Sequence, residues 1–121
     1  MFTLDTNILI YNAANDKAVI SFFEDNSRAV FYVPSVVVTE FLSFKLIRPD
    51  DVRTFEKFVA STVLINLDFL IAELAAKIKR DHGLKLGDSI IAASSLFTGS
   101  TLVTRNVSDF KKVKNLQLLK I

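Results

Sequence analysis

Residues 87–104 read GDSIIAASSLFTGSTLVT, and the part from Ser89 to Thr104 contains no charged side chain. We predict a helix from about Gly87 to Gly99 and an apolar strand at residues 101–104, where β-branched side chains favour strand structure. The charge-free part is shorter than the ~18 apolar residues of a membrane span and is interrupted by Ser, Thr and Gly, so we expect no transmembrane helix. A helix followed directly by a strand indicates a fold in which the two alternate.

The same alternation extends along the rest of the chain. Short β-rich apolar runs lie at Phe2–Leu4, Val30–Val33, Val63–Leu67, Thr101–Thr104 and Leu116–Leu119. Helical segments lie between them, and their boundary signals are Pro34-Ser35 before a run to Phe44, Pro49-Asp50 before a run to Val59, and Asp68 as the N-cap of a run that ends at Gly83. We therefore predict an α/β fold with a mainly parallel sheet covered by helices on both faces.

Length and composition limit the possible functions. A chain of 121 residues that is 50% hydrophobic is long enough for one core, so we expect a single domain over residues 1–121. The net charge is only +2, so any binding of nucleic acid must come from a local basic patch. The absence of cysteine excludes disulfides, thiolate zinc sites and cysteine nucleophiles. No signal peptide is recognisable at the N-terminus, so we expect a cytoplasmic protein.

Two polar segments follow predicted strands. Asp5 follows the first strand, and the turn Thr104-Arg105-Asn106 follows the fourth. In open parallel sheets, ligands bind beyond the carboxyl ends of the strands, where the strand order reverses. If these two strands are parallel neighbours, both segments lie at that edge despite their separation along the chain.

Four acids are candidates for chemistry, and each also has a structural interpretation. Asp5 is suited to cap a helix, and Asp88 lies at a helix start, where the helix dipole favours negative charge. Glu40, the only charge between Arg28 and Lys45, lies either among apolar residues with a partner or on a solvated helix face. Asp109 is an ordinary turn acid when considered alone. Together the four acids favour a metal site, and a chain with one His and no Cys favours Mg²⁺ or Mn²⁺ over zinc.

These residues resemble the PIN-domain family over essentially the whole chain, and within it the toxin ribonucleases of VapBC toxin-antitoxin pairs. The motifs that carry the resemblance are Leu4-Asp5-Thr6-Asn7, Val38-Thr39-Glu40-Phe41, Gly87-Asp88-Ser89-Ile90-Ile91-Ala92-Ala93 and Thr104-Arg105-Asn106-Val107-Ser108-Asp109-Phe110. The chain departs from the family at Gly87, where many relatives have Pro before the acid. Glycine loosens the helix start but removes no ligand.

The resemblance implies a PIN-like three-layer fold with a five-stranded sheet. It implies a Mg²⁺- or Mn²⁺-dependent endoribonuclease, in which the catalytic residues and metal ligands are Asp5, Glu40, Asp88 and Asp109. It assigns support of these acids, or contact with the phosphate, to Thr6, Asn7, Thr104, Arg105 and Asn106. It further implies an RNA substrate, a homodimer, and a cognate antitoxin that covers the acidic pocket.

Several interpretations remain open at this point. Two basic groups are either RNA contacts or solvated surface: Lys111, Lys112 and Lys114, and Lys79, Arg80, His82 and Lys85. Phenylalanines at residues 35–60, among them Phe41, Phe44, Phe55 and Phe58, either fill the core or serve an interface.

Two other functions compete with the nuclease. A receiver domain is disfavoured, because Asp5 is not followed by a second acid and Asp68 is better explained as a helix cap. A PIN-like module that binds RNA or protein without cleavage is the stronger alternative, and its signature is the loss of the acids.

Overall fold

The computed structural model describes all residues from Met1 to Ile121. Its centre is one sheet of five parallel strands in the order β3-β2-β1-β4-β5. The strands are β1 (Phe2–Leu4), β2 (Phe31–Pro34), β3 (Val63–Ile65), β4 (Thr101–Thr104) and β5 (Leu118–Lys120). The helices are α1 (Thr6–Ala13), α2 (Lys17–Asp25), α3 (Ser35–Leu42), α4 (Pro49–Ala60), α5 (Phe69–His82), α6 (Leu86–Thr98) and α7 (Val107–Phe110).

The strand order reverses between β1 and β4, two neighbouring strands of the sheet. The chain builds outward from β1 through β2 to β3, and then returns through α5 and α6 to place β4 on the other side of β1. Leu4 pairs with Val103, and the Asp5 amide donates to the Val103 carbonyl at 3.1 Å. The residues that follow these two strands therefore meet at the switch point, where open α/β sheets bind their ligands.

Helix α6 packs deepest of all the helices and explains the charge-free segment. Every residue from Ser89 to Ser95 is buried. The buried hydroxyls are satisfied locally, since Ser94 donates to the Ile90 carbonyl at 2.7 Å and Ser95 donates to the Ser100 carbonyl at 2.9 Å. An apolar helix with satisfied hydroxyls is thus a core helix, and no helix of the structure has the length and apolar character needed to cross a membrane.

The predicted α/β class and parallel sheet are confirmed, with changes at element ends. Helix α3 stops at Leu42, two residues before the predicted end, and Ser43 caps it by donating its backbone N–H to the Thr39 carbonyl. The third strand ends at Ile65 rather than Leu67, and the second and fifth strands begin one and two residues later than predicted. Asp68 caps α5 by accepting from the Ile71 amide at 2.9 Å, as predicted. Helices α2 and α7 were not predicted, α7 because a single turn shows no periodicity.

The phenylalanines of residues 35–60 divide between core and surface. Phe41 and Phe55 are buried and stack with ring centroids 4.1 Å apart. Phe58 is half-buried and packs edge-on against Phe23 at 5.2 Å. Phe44 is 61% exposed, so it alone of the four remains available for an interface.

Substitution of Phe110 tests how α7 is held. Its side chain is completely buried, so Phe110→Ala leaves a cavity and is expected to lower the free energy of unfolding by about 3–5 kcal/mol. Phe97→Ala, at a position that is 54% exposed and belongs to no proposed interface, is the matched control and should change it by less than about 1 kcal/mol. Urea denaturation measures both, and equal effects would contradict the packing described.

Candidate functional site

Asp5 is the buried centre of the acidic site. It follows β1, its residue is 5% exposed, and both carboxylate oxygens accept hydrogen bonds. Oδ1 accepts from the Thr6 amide at 2.7 Å, and Oδ2 accepts from the Thr104 hydroxyl at 2.7 Å. Asp5 is therefore the N-cap of α1, as the structural interpretation predicts, and at the same time faces the turn after β4.

Thr104 joins the ends of β1 and β4. Its side chain is fully buried, and its hydroxyl donates to Asp5 while accepting from the Asn106 amide at 2.9 Å. The Asn106 side chain then donates to Asp109 Oδ2 at 2.7 Å. A continuous chain of hydrogen bonds thus fixes Asp5 and Asp109 relative to each other.

Glu40 extends this network from α3. The Thr6 hydroxyl donates to Glu40 Oε1 at 2.7 Å, so Thr6 contacts Asp5 through its backbone and Glu40 through its side chain. Glu40 is exposed, as expected of a solvated helix face, and it also has the polar partner that the other interpretation requires.

Gly87 makes room for the Glu40 carboxylate. A Cβ atom built on Gly87 would lie 2.9 Å from Glu40 Oε2, closer than real Cβ atoms approach other atoms. The departure from the family pattern at this position therefore coincides with a direct contact between the start of α6 and the acid of α3.

Asp88 lies in the first turn of α6, forms no hydrogen bond with the other acids, and interacts with them through charge repulsion. Burial raises its pKa, and repulsion from Glu40 and Asp109 raises it further, while nearby Lys85 lowers it. Burial likewise raises the pKa of Asp5 from 3.8 to about 6, against the opposing Thr104 hydrogen bond, and repulsion from Asp88 adds to the rise. Asp5 and Asp88 thus lie close enough to other acids of the group for like-charge repulsion to raise their pKa values.

No positive side chain forms an ion pair with this group. The ion pairs of the structure join Arg48 to Asp51, Arg53 to Asp50 and Arg105 to Asp16, and none of the four acids takes part. Asn7, in the first turn of α1, has its side-chain Oδ1 buried without a hydrogen-bond donor. The carboxylate oxygens and the negative charge that no ion pair offsets fit a hard divalent cation. As the side chains stand, however, no three metal-binding groups are close enough to form a closed cage.

Arg105 does not join the acids, although the sequence places it in the same turn. Its guanidinium binds Asp16 through two hydrogen bonds of 2.8 and 2.9 Å, lies 4.1 Å from the centre of the Tyr11 ring, and donates to the main-chain oxygen of Ile121. These contacts use three of its five N–H groups and anchor the turn to α1 and α2. We therefore leave Arg105 out of the phosphate-binding group and assign it to positioning the turn.

The sequence alone gave no sign of two of these features. The partners of Arg105 lie 89 and 16 residues away, and neither Asp16 nor Ile121 stands in a recognisable motif. The space at Gly87 depends on how α3 approaches α6. Gly87 was recognisable in the sequence as a departure from the family pattern. Its contact with Glu40 could be identified only from the fold.

Comparison with known proteins agrees with this geometry. The family model described as PIN domain matches residues 2–116. Among solved structures, the chain is similar to a toxin-antitoxin complex from Klebsiella pneumoniae (22% identity, 98% of this chain and 96% of that chain, TM-score 0.85). It is also similar to DNA-bound VapBC from Salmonella typhimurium (20% identity, 98% of this chain and 96% of that chain, TM-score 0.84). A further similar structure is VapBC2 from Rickettsia felis bound to a DNA fragment from the promoter (22% identity, 99% of this chain and 98% of that chain, TM-score 0.81). At these identities the structures show a shared fold. Comparison with curated proteins gives no significant match.

The raised pKa of Asp5 predicts a stability that depends on pH when no metal is present. The folded-state pKa of about 6 exceeds the usual 3.8, so ionisation is harder in the folded protein, and this contribution to stability is lost as pH rises from about 4 to 6. The loss is at most about 3 kcal/mol, at about 1.4 kcal/mol for each pKa unit. Asp5→Asn avoids it and gives up about one hydrogen bond, so it should be about 1–2 kcal/mol more stable than the wild type at pH 7.5.

Urea denaturation in EDTA at pH 7.5 and pH 4.5 measures this difference, which should shrink or reverse at the lower pH. The control is Asp25→Asn, at the exposed end of α2, which should not show the pH-dependent difference. If Asp5→Asn is less stable than the wild type by the same amount at both pH values, the account is wrong.

The space at Gly87 predicts a coupling with Glu40. Alanine stabilises a helix by about 0.5–1 kcal/mol relative to glycine, but here its Cβ must displace the Glu40 carboxylate from Thr6. Loss of that hydrogen bond, worth about 0.5–1.5 kcal/mol, should cancel most of the gain. Gly87→Ala is therefore expected to be nearly neutral in the wild type and stabilising in a Glu40→Ala background. Chemical denaturation of the four proteins measures the coupling, and equal effects in both backgrounds would show that the carboxylate does not use this space.

Proposed function

The chain belongs to the PIN-domain family, and we propose that it is a metal-dependent endoribonuclease that hydrolyses RNA phosphodiester bonds as the toxin of a type II toxin-antitoxin pair. The observation that carries the proposal is the hydrogen-bonded network from Glu40 through Thr6, Asp5, Thr104 and Asn106 to Asp109, which has no cation within it. A structural role alone does not require four acids beside one another, none of which forms an ion pair.

The residues that would hold Mg²⁺ or Mn²⁺ are Asp5, Glu40, Asp88 and Asp109. Carboxylate oxygens are the preferred ligands of both ions. A divalent cation bound there supplies positive charge that polarises the phosphate and makes water a better nucleophile.

The chain's own residues prepare this chemistry. Thr6 and Thr104 each fix one oxygen of Asp5, and an ionised carboxylate oxygen that accepts one hydrogen bond still has a lone pair available. Glu40 is the exposed acid, and its Oε2 accepts no hydrogen bond from the chain while Thr6 fixes Oε1. We assign Glu40 Oε2 to orient the attacking water and to accept its proton.

An apolar groove is suited to the antitoxin. It is lined by Ile10, Ala13, Ala14, Phe41, Phe44 and Ile47, and Phe44 is 61% exposed. Phe41 follows Glu40 on α3, so a segment bound in the groove lies beside an acid of the site. The fold that the chain shares with solved toxin-antitoxin complexes supports this partner.

A second apolar surface supports the proposed homodimer. Leu67, Phe69 and Leu70, at the start of α5, are 47%, 78% and 61% exposed, and they follow β3, which is an edge strand. A monomer rarely leaves such large neighbouring side chains in water. Light scattering on the purified protein, compared with Phe69→Ser, would measure the mass, and a wild-type monomer would remove this part of the proposal.

Cleavage of RNA tests the proposed function directly. The purified protein should cleave total cellular RNA in Mg²⁺ or Mn²⁺ and lose this activity in EDTA. Asp5→Asn and Asp88→Asn should each reduce the rate by at least about 100-fold, because each removes a charge that the metal requires.

Asp25→Asn removes an equal charge from an exposed site at the end of α2 and should leave the rate unchanged. Cleavage that persists in EDTA and in Asp5→Asn would indicate a contaminating nuclease. A folded protein without antitoxin that binds Mn²⁺ and cleaves no RNA would favour the binding module instead.

A further inference from the structure

A small polar pocket that contains two lysines opens beside two of the four acids. It has a volume of about 130 Å³ and is lined by Lys85 and Lys112, together with His82, Asp88 and Asp109. We call it the lysine pocket. It takes Lys112 from one of the two basic groups in the sequence and Lys85 and His82 from the other, so the fold brings three of the seven basic side chains to the pocket.

Backbone contacts fix where Lys85 emerges. Gly83 ends α5 in the left-handed conformation at φ +67°, and its amide donates to the Lys79 carbonyl at 2.8 Å. The Lys79 ammonium in turn donates to the Leu84 carbonyl at 3.3 Å, and the Leu84 side chain is buried. Lys79 is therefore used to hold this loop, whereas the side chain of Lys85 is exposed.

Lys112 is positioned in a similar way from the other side. Phe110 and Val113 are 0% and 5% exposed, so the backbone between them is anchored while the Lys112 side chain stays in solvent. Neither Lys112 nor Lys85 forms an ion pair within 4 Å, although both line a pocket with two carboxylates. Their charges are thus free to bind a ligand.

The charge balance of the site identifies the ligand. Four clustered acids repel a polyanion, and Arg105, the arginine of the turn after β4, is already paired with Asp16. Free ammonium groups beside Asp88 and Asp109 offset that repulsion for a phosphate next to the reacting one. We propose that the lysine pocket binds a backbone phosphate of the RNA strand, adjacent to the bond that is cleaved.

That the bound strand is RNA rests on the proposed function. The assignment also gives different roles to the lysines within each basic group. Lys112 contacts the phosphate, whereas its neighbours Lys111 and Lys114 lie outside the pocket. Lys85 contacts the phosphate, whereas Lys79 supports the loop. The contacts are to phosphate oxygens, so they set affinity and strand position without reading sequence.

The test is the salt dependence of binding to a labelled single-stranded RNA of mixed sequence. Binding is measured by fluorescence anisotropy in EDTA, in an Asp5→Asn background, so that no cleavage occurs. The slope of log K against log salt is negative, and removing a lysine that binds one phosphate lowers its magnitude by about 0.7 for a single strand. The Lys85→Ala/Lys112→Ala double variant should therefore lower the magnitude by about 1.4, and Lys112→Arg should keep the wild-type slope.

The matched control is Lys111→Ala/Lys114→Ala, which removes the same charge from the segment that carries Lys112. It should leave the slope unchanged, and thermal melting should show that all variants remain folded. Equal slopes for the two double variants would overturn the proposal in favour of general attraction, as would an unchanged slope for Lys85→Ala/Lys112→Ala. Single-stranded DNA of the same sequence should show the same decrease in slope, because the pocket contacts phosphate; a decrease confined to RNA would assign the pocket to the ribose instead.

Failure of this proposal is distinguishable from failure of the proposed function. A protein that cleaves RNA without the lysine-dependent slope is a nuclease whose phosphate contacts lie elsewhere. A protein that shows the slope but cleaves nothing in Mg²⁺ or Mn²⁺ has the pocket and lacks the proposed activity.

Discussion

The hydrogen bond from the Thr104 hydroxyl to Asp5 is the interaction on which the site depends. It joins residues 99 positions apart at 2.7 Å, between two fully or nearly buried side chains. A hydroxyl has one donor and two acceptor positions, and Thr104 uses the donor for Asp5 and an acceptor for the Asn106 amide. The parallel pairing of β1 with β4 brings the two residues together. Hydrogen bonds from Thr104 to Asn106 and from Asn106 to Asp109 then fix the position of Asp109 relative to this strand pair. A change in strand register would therefore separate the acids, because they are held through the strand ends.

The same arrangement opposes the stability of the protein alone. Burial raises the pKa of Asp5 to about 6 even though two hydrogen bonds favour its charged form. Desolvation prevails because Asp5 is 5% exposed and forms no ion pair, and helix α6, which packs on β1, has no charged side chain from Ser89 to Ser95. Asp88 lies in the first turn of this helix, so the apolar segment that completes the core also delivers an acid to the edge of the sheet. One segment therefore contributes both to the core and to the site, and like-charge repulsion among the acids lowers the stability of the folded protein.

The sequence predicts the parts of this structure that follow from local pattern. Strand ends place Asp5 and Thr104, the charge-free run predicts a core helix, and the order of motifs indicates the family. The sequence does not reveal the partners of Arg105, because an arginine in a turn beside candidate site acids looks the same in sequence whether it binds phosphate or Asp16. The sequence likewise does not show which lysines line the pocket. Only the loop geometry shows that Lys79 supports the backbone at Leu84 while Lys85 remains free.

Three aspartates that cap helices show why local and functional interpretations are not rivals. Asp5, Asp16 and Asp68 all accept hydrogen bonds from backbone amides at the start of a helix. Asp68 accepts no further hydrogen bond, Asp16 also binds Arg105, and Asp5 also binds Thr104 and lies near other acids. A carboxylate has about four acceptor positions, and a cap occupies only one or two of them. The role of each aspartate therefore depends on which groups the fold places beside its remaining lone pairs. A correct assignment as a helix cap does not exclude a functional role for the same aspartate.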